Sequence, residues 1–331
     1  MLLVRRPAGI PALDDFAVED APLPAPGEGD LLIRNHYLSV DPAQRGWAST
    51  AANYSDPVPI GSVMRALAVG EVAVSNVAGF ERGDKVYGWF GWQGWAVVRP
   101  DAVVTRIDQS LAPLSAFAGP LGINGITALL AFEQLGRPGA DDTVLVSTAA
   151  GAVGSIVGQI ARAAGCRVLG LTGSAEKAER CTTRFGYHRA IDYHGNDLGS
   201  AIDGLAPDGI DIFFDNVGGA TLDAALPRMK PRGRVIQCGT ASVARWEPAP
   251  TGPRVEREVL TRRLSWNGFV VFDHQALFGA AIERLAAMIR EGALVYDEDI
   301  ENGIDRAPGA LADLYAGRNR GKKLIRLGEA A

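Results

Sequence analysis

The chain has 331 residues, a length that favours two domains over a single core. Hydrophobic residues make up 47% and charged residues 21%, and the net charge of −5 provides no basic footprint for nucleic acid or an anionic membrane. No apolar run reaches membrane-spanning length, no secretory leader pattern follows Met1, and Cys166, Cys181 and Cys238 are scattered, which fits reduced thiols in a cytoplasmic protein rather than a disulfide framework.

Residues 1–118 read as β-rich. A proline-rich turn at 21–27 leads into a predicted strand at 30–36, and the stretches 62–74 and 86–98 continue the pattern, the second aromatic and glycine-rich. Together they predict a twisted, partly closed, barrel-like sheet. Residues 121–135 predict a helix leading into a second domain. From residue 143 strands and helices alternate. Strands are predicted at 143–148, 167–171, 190–193, 210–214, 234–238 and 265–271. Helices fall at 152–164, 175–185, 197–205, 219–229 and 275–291, with a short one at 255–262 in a long proline-rich connection. Six strands with helical crossovers predict an α/β fold, a doubly wound parallel sheet with a nucleotide at its switch point. A strand-like stretch at 322–327 predicts a return to the first domain. Residues 1–118 and 293–331 are therefore expected to form one discontinuous β-rich domain, and 119–292 the nucleotide-binding domain.

The turn between the strand at 143–148 and its helix carries Ala149-x-Gly151-x-x-Gly154, a dinucleotide fingerprint whose first glycine is alanine. The chemistry calls for a tight turn, bare backbone against a pyrophosphate, and a glycine where helix meets strand. Gly151, Ala152, Val153 and Gly154 are thus the expected pyrophosphate cradle at a helix N-terminus. An NAD site usually places a carboxylate about 20 residues further on for the ribose hydroxyl. Here the second strand runs into Thr172-Gly173-Ser174, with Lys177 one turn into the next helix. Hydroxyls and an ammonium without a carboxylate point to a 2′-phosphate, hence NADP(H). Tyr193, at the end of the third strand, is a further candidate beside that phosphate. A competing reading leaves Ser174 a helix cap and Lys177 a solvated side chain.

No metal site is expected. The first domain has no cysteine and only one histidine, His36; His188 and His194 flank the third strand and His274 opens the late helix, which does not make an open zinc site. No Gly-x-Ser-x-Gly elbow occurs either.

The motifs Tyr37-Leu-Ser-Val-Asp-Pro-Ala-Gln-Arg-Gly46, Pro57-Val-Pro-Ile-Gly61, Gly91-Trp-Gln93, Ala149-Ala-Gly-Ala-Val-Gly154, Gly173-Ser-Ala-Glu-Lys177, Asp215-Asn-Val-Gly-Gly219, Cys238-Gly239, Phe269-Val-Val271 and Asn319-x-Gly321-Lys322 span nearly the whole chain. In these it resembles the zinc-independent medium-chain dehydrogenase/reductases, in the prostaglandin reductase-like branch of NADPH-dependent 2-alkenal/enone double-bond reductases. The resemblance implies a GroES-like catalytic domain beside a Rossmann domain. It implies that Lys177 and Tyr193 contact the 2′-phosphate side, and that Asn216, Cys238, Gly239 and Thr240 lie along the nicotinamide half. Phe269, Val270 and Val271 would line the amide edge, and Thr127 and Asn319 would reach the cofactor from between the domains. It further implies a homodimer through the sheet edge near 265–271.

The chain departs from the family where a Ser-x-Tyr-Asn run usually follows the fifth strand. The corresponding residues are Ser242-Val-Ala244-Arg245, with Trp246 close by. Gln44 replaces a common methionine, and Gln93-Gly94-Trp95 replaces Gln-Glu-Tyr. These changes are expected to surround the substrate. The expected reaction is hydride transfer from NADPH to the β-carbon of an α,β-unsaturated aldehyde or ketone, without metal. The nicotinamide ribose hydroxyl, a water and Tyr54, in Ala52-Asn-Tyr-Ser-Asp-Pro57, are the candidate donors to the enolate, with aromatic packing as the alternative role of Tyr54. Two other readings stay open: a quinone reductase of the same superfamily, and a non-catalytic NADPH-binding protein.

Overall fold

Apolar runs at residues 143–147, 167–172 and 210–215 have no polar face to offer solvent, so they can only be central strands of a sheet covered on both sides. In the computed structural model, which describes residues 1–50, 55–194, 197–242 and 250–328, they are the inner strands of a six-stranded parallel sheet. Its order is Arg189–Asp192, Arg167–Thr172, Thr143–Ser147, Ile210–Asp215, Met229–Gln237 and Ser265–Gly268. Chain direction across the sheet reverses between Thr143–Ser147 and Ile210–Asp215, so the switch point lies where those strands end. The helices Gly154–Ala163, Ala175–Thr183, Leu198–Leu205, Gly219–Ala225 and Phe278–Arg290 alternate with the strands. Two of them start at side-chain caps: Ser174 Oγ accepts from Lys177 N, and an Asp197 carboxylate oxygen accepts from Ser200 N.

Two spans differ from the sequence expectation. The fifth strand begins at Met229, five residues earlier than expected, because Ile210 already pairs with Met229 before a register shift. The sixth ends at Gly268 rather than 271. From Val271 the chain forms a 3-10 turn to Leu277, so Phe269, Val270 and Val271 are not strand residues.

Contacts divide the chain into two units, Met1–Gly122 with Glu298–Ala331, and Ile123–Asp297. The parallel sheet belongs to the second. The first is built on a seven-stranded sheet in which Glu298–Asn302 and Lys322–Arg326 pair in parallel and Lys322–Arg326 lies antiparallel to Leu31–Ser39. Leu31–Ser39 also pairs with Ala68–Ser75 and with Trp95–Val98, and Lys85–Gly88 and Val103–Arg106 complete the sheet. Alternating side chains such as Leu31 and Ile33 enter a core with Val72, Val86, Trp92 and Ile325. The strand Glu298–Asn302 and the helix Ala307–Tyr315 were not expected from the sequence, since Glu298-Asp299 and Pro308 disguise both.

Inside this unit Lys322 is 3% exposed, and its Nζ donates to Asp41 Oδ1 at 2.6 Å and to the Val40 carbonyl at 3.0 Å. Ser39 Oγ donates to the other oxygen of Asp41. Gln44 is fully buried beside them: its Oε1 accepts from Asp41 N at 2.9 Å, and its Nε2 donates to the Ser39 and Arg65 carbonyls. Gln44 therefore braces the turn after the Leu31–Ser39 strand. It does not line a substrate surface as expected, because every polar atom of its amide is spent on backbone.

Candidate nucleotide site at the ends of the parallel strands

The Thr143–Ser147 strand turns sharply into the Gly154–Ala163 helix. Thr148 takes a left-handed conformation, φ +51°, which costs a β-branched residue about 1–3 kcal/mol and marks a position held by its surroundings. The Thr148 carbonyl accepts from Gly151 N at 2.8 Å. A Cβ on Gly151 would lie 2.9 Å from Thr148 Cγ2, and one on Gly154 would lie 2.3 Å from the Thr148 carbonyl oxygen. Both fingerprint glycines are thus required by the approach of Thr148. Ala149 is tolerated in place of the first glycine because the neighbouring strand yields the space: a Cβ on Gly170 would sit 2.7 Å from Ala149 Cβ. Tyr187, fully enclosed, donates from its hydroxyl to the Gly154 carbonyl at 2.6 Å and lies flush on Gly158, and burial pushes its phenol pKa well up. These contacts fix the helix start, where first-turn N–H groups lack intrahelical acceptors and favour an anion.

At the end of the second strand, Thr172 turns inward. It is 1% exposed and its hydroxyl lies within hydrogen-bond reach of the Ser174 and Ile191 carbonyls, at 3.0 and 3.1 Å, so it shapes the turn instead of facing a ligand. This corrects the expectation that it donates to phosphate. Gly173 carries no side chain where Tyr193 and His194 come closest; a Cβ there would be 3.4 Å from the Tyr193 hydroxyl and 3.3 Å from His194 Cε1. The Tyr193 and His194 rings lie 4.5 Å apart, and His194 Nδ1 is 3.1 Å from Asp192 Oδ1. Burial, and then the Asp192 charge, hold the Tyr193 hydroxyl above the usual phenol range. Gly173, Ser174, Tyr193 and His194 form one corner, with half-buried Lys177 a turn into the Ala175–Thr183 helix. His194 is exposed at the rim of this corner.

Asp215 organises the second corner, at the ends of the fourth and fifth strands. It is fully buried. Its Oδ1 accepts from Ser147 Oγ at 2.8 Å and from the backbone N–H of Val217 at 2.9 Å, and both oxygens accept from Gly218 N–H. Oδ2 also accepts from Gln237 Nε2 at 2.9 Å. Ser147 Oγ in turn accepts from Asn216 N at 2.8 Å, and Asn216 Nδ2 donates to the Ser147 carbonyl at 3.0 Å. Cys238 N and Gly239 N donate to the Asp215 carbonyl. Gly239 is bare against Asn216, since a Cβ would stand 2.7 Å from the Asn216 carbonyl oxygen. Asn216, Cys238 and Gly239 are therefore brought together, with Thr240 exposed just beyond. Ser147, Asp215 and Gln237 were not singled out as site residues. A polar residue ends each of these three strands, but that the strands lie side by side is not written in any local pattern.

Phe269 and Val271 are buried and Val270 half-buried. Phe269 N donates to the Gln237 carbonyl at 3.1 Å, and the Phe269 ring stacks on His274 at 4.7 Å. They therefore reach this corner as an irregular segment after the edge strand. Thr127 is half-buried on the Ile123–Ala131 helix of the same unit. Asn319 belongs to the other unit, where its Nδ2 donates to the Gly321 carbonyl at 2.9 Å. Tyr54, Ala244 and Trp246 lie outside the described residues.

All three thiols are free. Burial pushes Cys166 up to about 11 and Cys181 up to about 12, and it drives Cys238 upward as well, with the Asp215 charge adding to the effect. None is a thiolate nucleophile near neutral pH. Among the described residues, no three His, Cys, Asp or Glu side chains gather where they could hold a metal ion, and no helix is long and apolar enough to cross a membrane.

This arrangement is that of a dinucleotide-binding oxidoreductase unit. Residues 1–106 match the family model described as the N-terminal domain of oxidoreductase, and 152–287 match the zinc-binding dehydrogenase model. The chain belongs to the medium-chain dehydrogenase/reductase family, in its NADP-dependent enone reductase branch. It is 38% identical to the NADP-dependent 2-alkenal reductase of Nicotiana tabacum, over 90% of this chain and 88% of the relative. It is 35% identical to the NADPH-dependent curcumin reductase of Escherichia coli, over 98% and 96%. Among solved structures it is similar to CurA of Vibrio vulnificus in complex with NADPH, with a TM-score of 0.92, 33% identity and 99% of each chain covered.

Asp215→Asn tests the hub. One acceptor oxygen becomes an N–H2 facing donors, which should cost about 1–3 kcal/mol for each donor left unmet, read as a lowered urea midpoint for the parallel-sheet unit. An unchanged midpoint would remove the carboxylate from its central place.

Proposed function

We propose that the protein reduces the carbon–carbon double bond of α,β-unsaturated aldehydes and ketones with NADPH. The observation that carries this reading is near full-length similarity to two reductases of that kind, coupled to a glycine-containing strand-to-helix turn at the strand ends. The residues fit the cofactor. Gly151 to Gly154 offer bare backbone and a helix N-terminus to the pyrophosphate. Ser174, Lys177, Tyr193 and Gly173 suit a 2′-phosphate, with His194 beside them. Asn216, Cys238 and Gly239 form the wall for the nicotinamide half, and Thr240 and the backbone at 269–271 extend it. Thr127 is a further contact.

Bound NADPH supplies the hydride. Conjugation already makes the β-carbon electrophilic, so the protein's part is to orient the two partners, exclude water and steady charge on the carbonyl oxygen. A proton must also reach the α-carbon. Tyr54 is the candidate side-chain donor, and the Ala244 substitution removes the family's usual hydroxyl. The three free thiols, two of them buried, suit a reducing cytoplasm. Two copies are expected to pair through the edge strand Ser265–Gly268, where Trp266 is 40% exposed on the outermost strand.

Sedimentation should give a dimer; a monomer at micromolar concentration would remove the pairing. NADPH oxidation with a panel of enals, enones and quinones should be fastest with an enal or enone. Turnover with quinones alone would favour a quinone reductase, and no turnover would favour a binding protein. Lys177→Ala should weaken NADPH binding by about 1–3 kcal/mol, the worth of hydrogen bonds to charged groups, and leave NADH nearly unchanged. Equal losses for both would take Lys177 away from the 2′-phosphate.

A further inference from the structure

Gln237 ends the Met229–Gln237 strand with its amide committed on both sides. Nε2 donates to Asp215 Oδ2 at 2.9 Å and to the Gly239 carbonyl at 2.7 Å, and Oε1 accepts from Trp266 Nε1 at 3.3 Å. Both N–H bonds are used and the orientation is determined: a flipped amide would set its oxygen against a carboxylate and a carbonyl. Trp266 sits one strand outward, on the Ser265–Gly268 edge, where Gln237 pairs in register with Gly268. A hydrogen-bonded line therefore runs from the exposed edge of the sheet, through Gln237, to the buried Asp215.

The far end of that line is the corner where two loops touch backbone to backbone. Gly239 approaches Asn216 so closely that a Cβ would meet the Asn216 carbonyl oxygen at 2.7 Å and its carbonyl carbon at 3.3 Å. The Asn216 loop is anchored to Ser147 and, through Val217 and Gly218, to the Asp215 carboxylate. The Gly239 loop has one side-chain tether to the same carboxylate, and that tether is Gln237. We propose that Gln237 is a positioning residue for the cofactor: it holds the Cys238–Gly239 turn in register with Asn216, and Trp266 fixes the amide that does so. This rests on the reading of the corner as the nicotinamide wall. It adds that cofactor affinity is sensitive to Trp266 on the sheet edge.

Wild type, Gln237→Glu, Gln237→Leu and Trp266→Phe are to be titrated with NADPH by fluorescence at pH 8 and pH 5.5, with thermal unfolding of each in parallel. Among the described residues, the titratable group hydrogen-bonded to the Gln237 side chain is the Asp215 carboxylate. At pH 8 Gln237→Glu sets a carboxylate against Asp215 and the Gly239 carbonyl, so the dissociation constant should rise about tenfold or more over wild type, the scale of lost hydrogen bonds to a charged group. At pH 5.5 a proton shared by the two carboxylates restores one donor, and the ratio to wild type should shrink. Gln237→Leu should weaken binding at both pH values with a constant ratio. Trp266→Phe keeps an aromatic side chain but loses the pyrrole half of the indole with its N–H; because the residue is 40% exposed it should weaken binding a few-fold with little change in melting temperature.

Unchanged dissociation constants in the variants, whatever their melting temperatures, would overturn the positioning role. Should either Gln237 variant fail to fold, Trp266→Phe decides alone. If wild type itself fails to bind NADPH, the cofactor reading falls and this inference with it. Normal wild-type binding with unaffected variants overturns this inference only.

Discussion

The Asp215 carboxylate, buried without exposure, accepts from Ser147 Oγ, from the Val217 and Gly218 N–H groups and from Gln237 Nε2. A carboxylate so placed is costly to bury unless its lone pairs are met, and here hydroxyl, backbone and amide donors meet them. The donors come from the ends of three adjacent strands, Thr143–Ser147, Ile210–Asp215 and Met229–Gln237. One charge therefore holds three strand ends at a common level, and it does so on both sides of the switch point. The loops that leave those strands inherit their positions from it.

Steric constraint does the corresponding work on the other side of the switch point. Thr148 is forced to positive φ, its carbonyl crowds Gly151 and Gly154, and Ala149 borrows volume from Gly170. Tyr187 then locks the helix start through the Gly154 carbonyl and the bare face of Gly158. The two halves of the site are rigid for different reasons, hydrogen bonding around Asp215 and close packing around Thr148. Pre-organisation of this kind lowers the ordering cost of binding a flexible dinucleotide.

The order of strands and helices from residue 143 was legible because the apolar runs are short, β-branched and separated by helical stretches, one of them opened by a cap at Ser174. The fingerprint was legible despite Ala149, since Gly151 and Gly154 stood between a strand and a helix. What the pattern hid was side-chain direction. Thr172 looked like a phosphate donor but faces its own turn, and Gln44 looked like a substrate contact but braces Asp41. Both are polar residues beside motifs, and spacing alone does not say which way such a residue turns. The Glu298–Asn302 strand carries acidic residues on an edge, which masked its period of two. Ser147, Asp215 and Gln237 were unremarked because their meaning lies in adjacency across strands 68 and 22 residues apart, which no local pattern records.

The proposed reaction passes hydride to the β-carbon of a conjugated carbonyl compound. The most direct measurement uses NADPH deuterated at the transferred position of nicotinamide C4, a simple enone and the purified enzyme, with the product examined by NMR. The expected product is a saturated ketone carrying one deuterium on its β-carbon. Deuterium on the carbonyl carbon of an allylic alcohol, or an enone recovered unchanged, would contradict it.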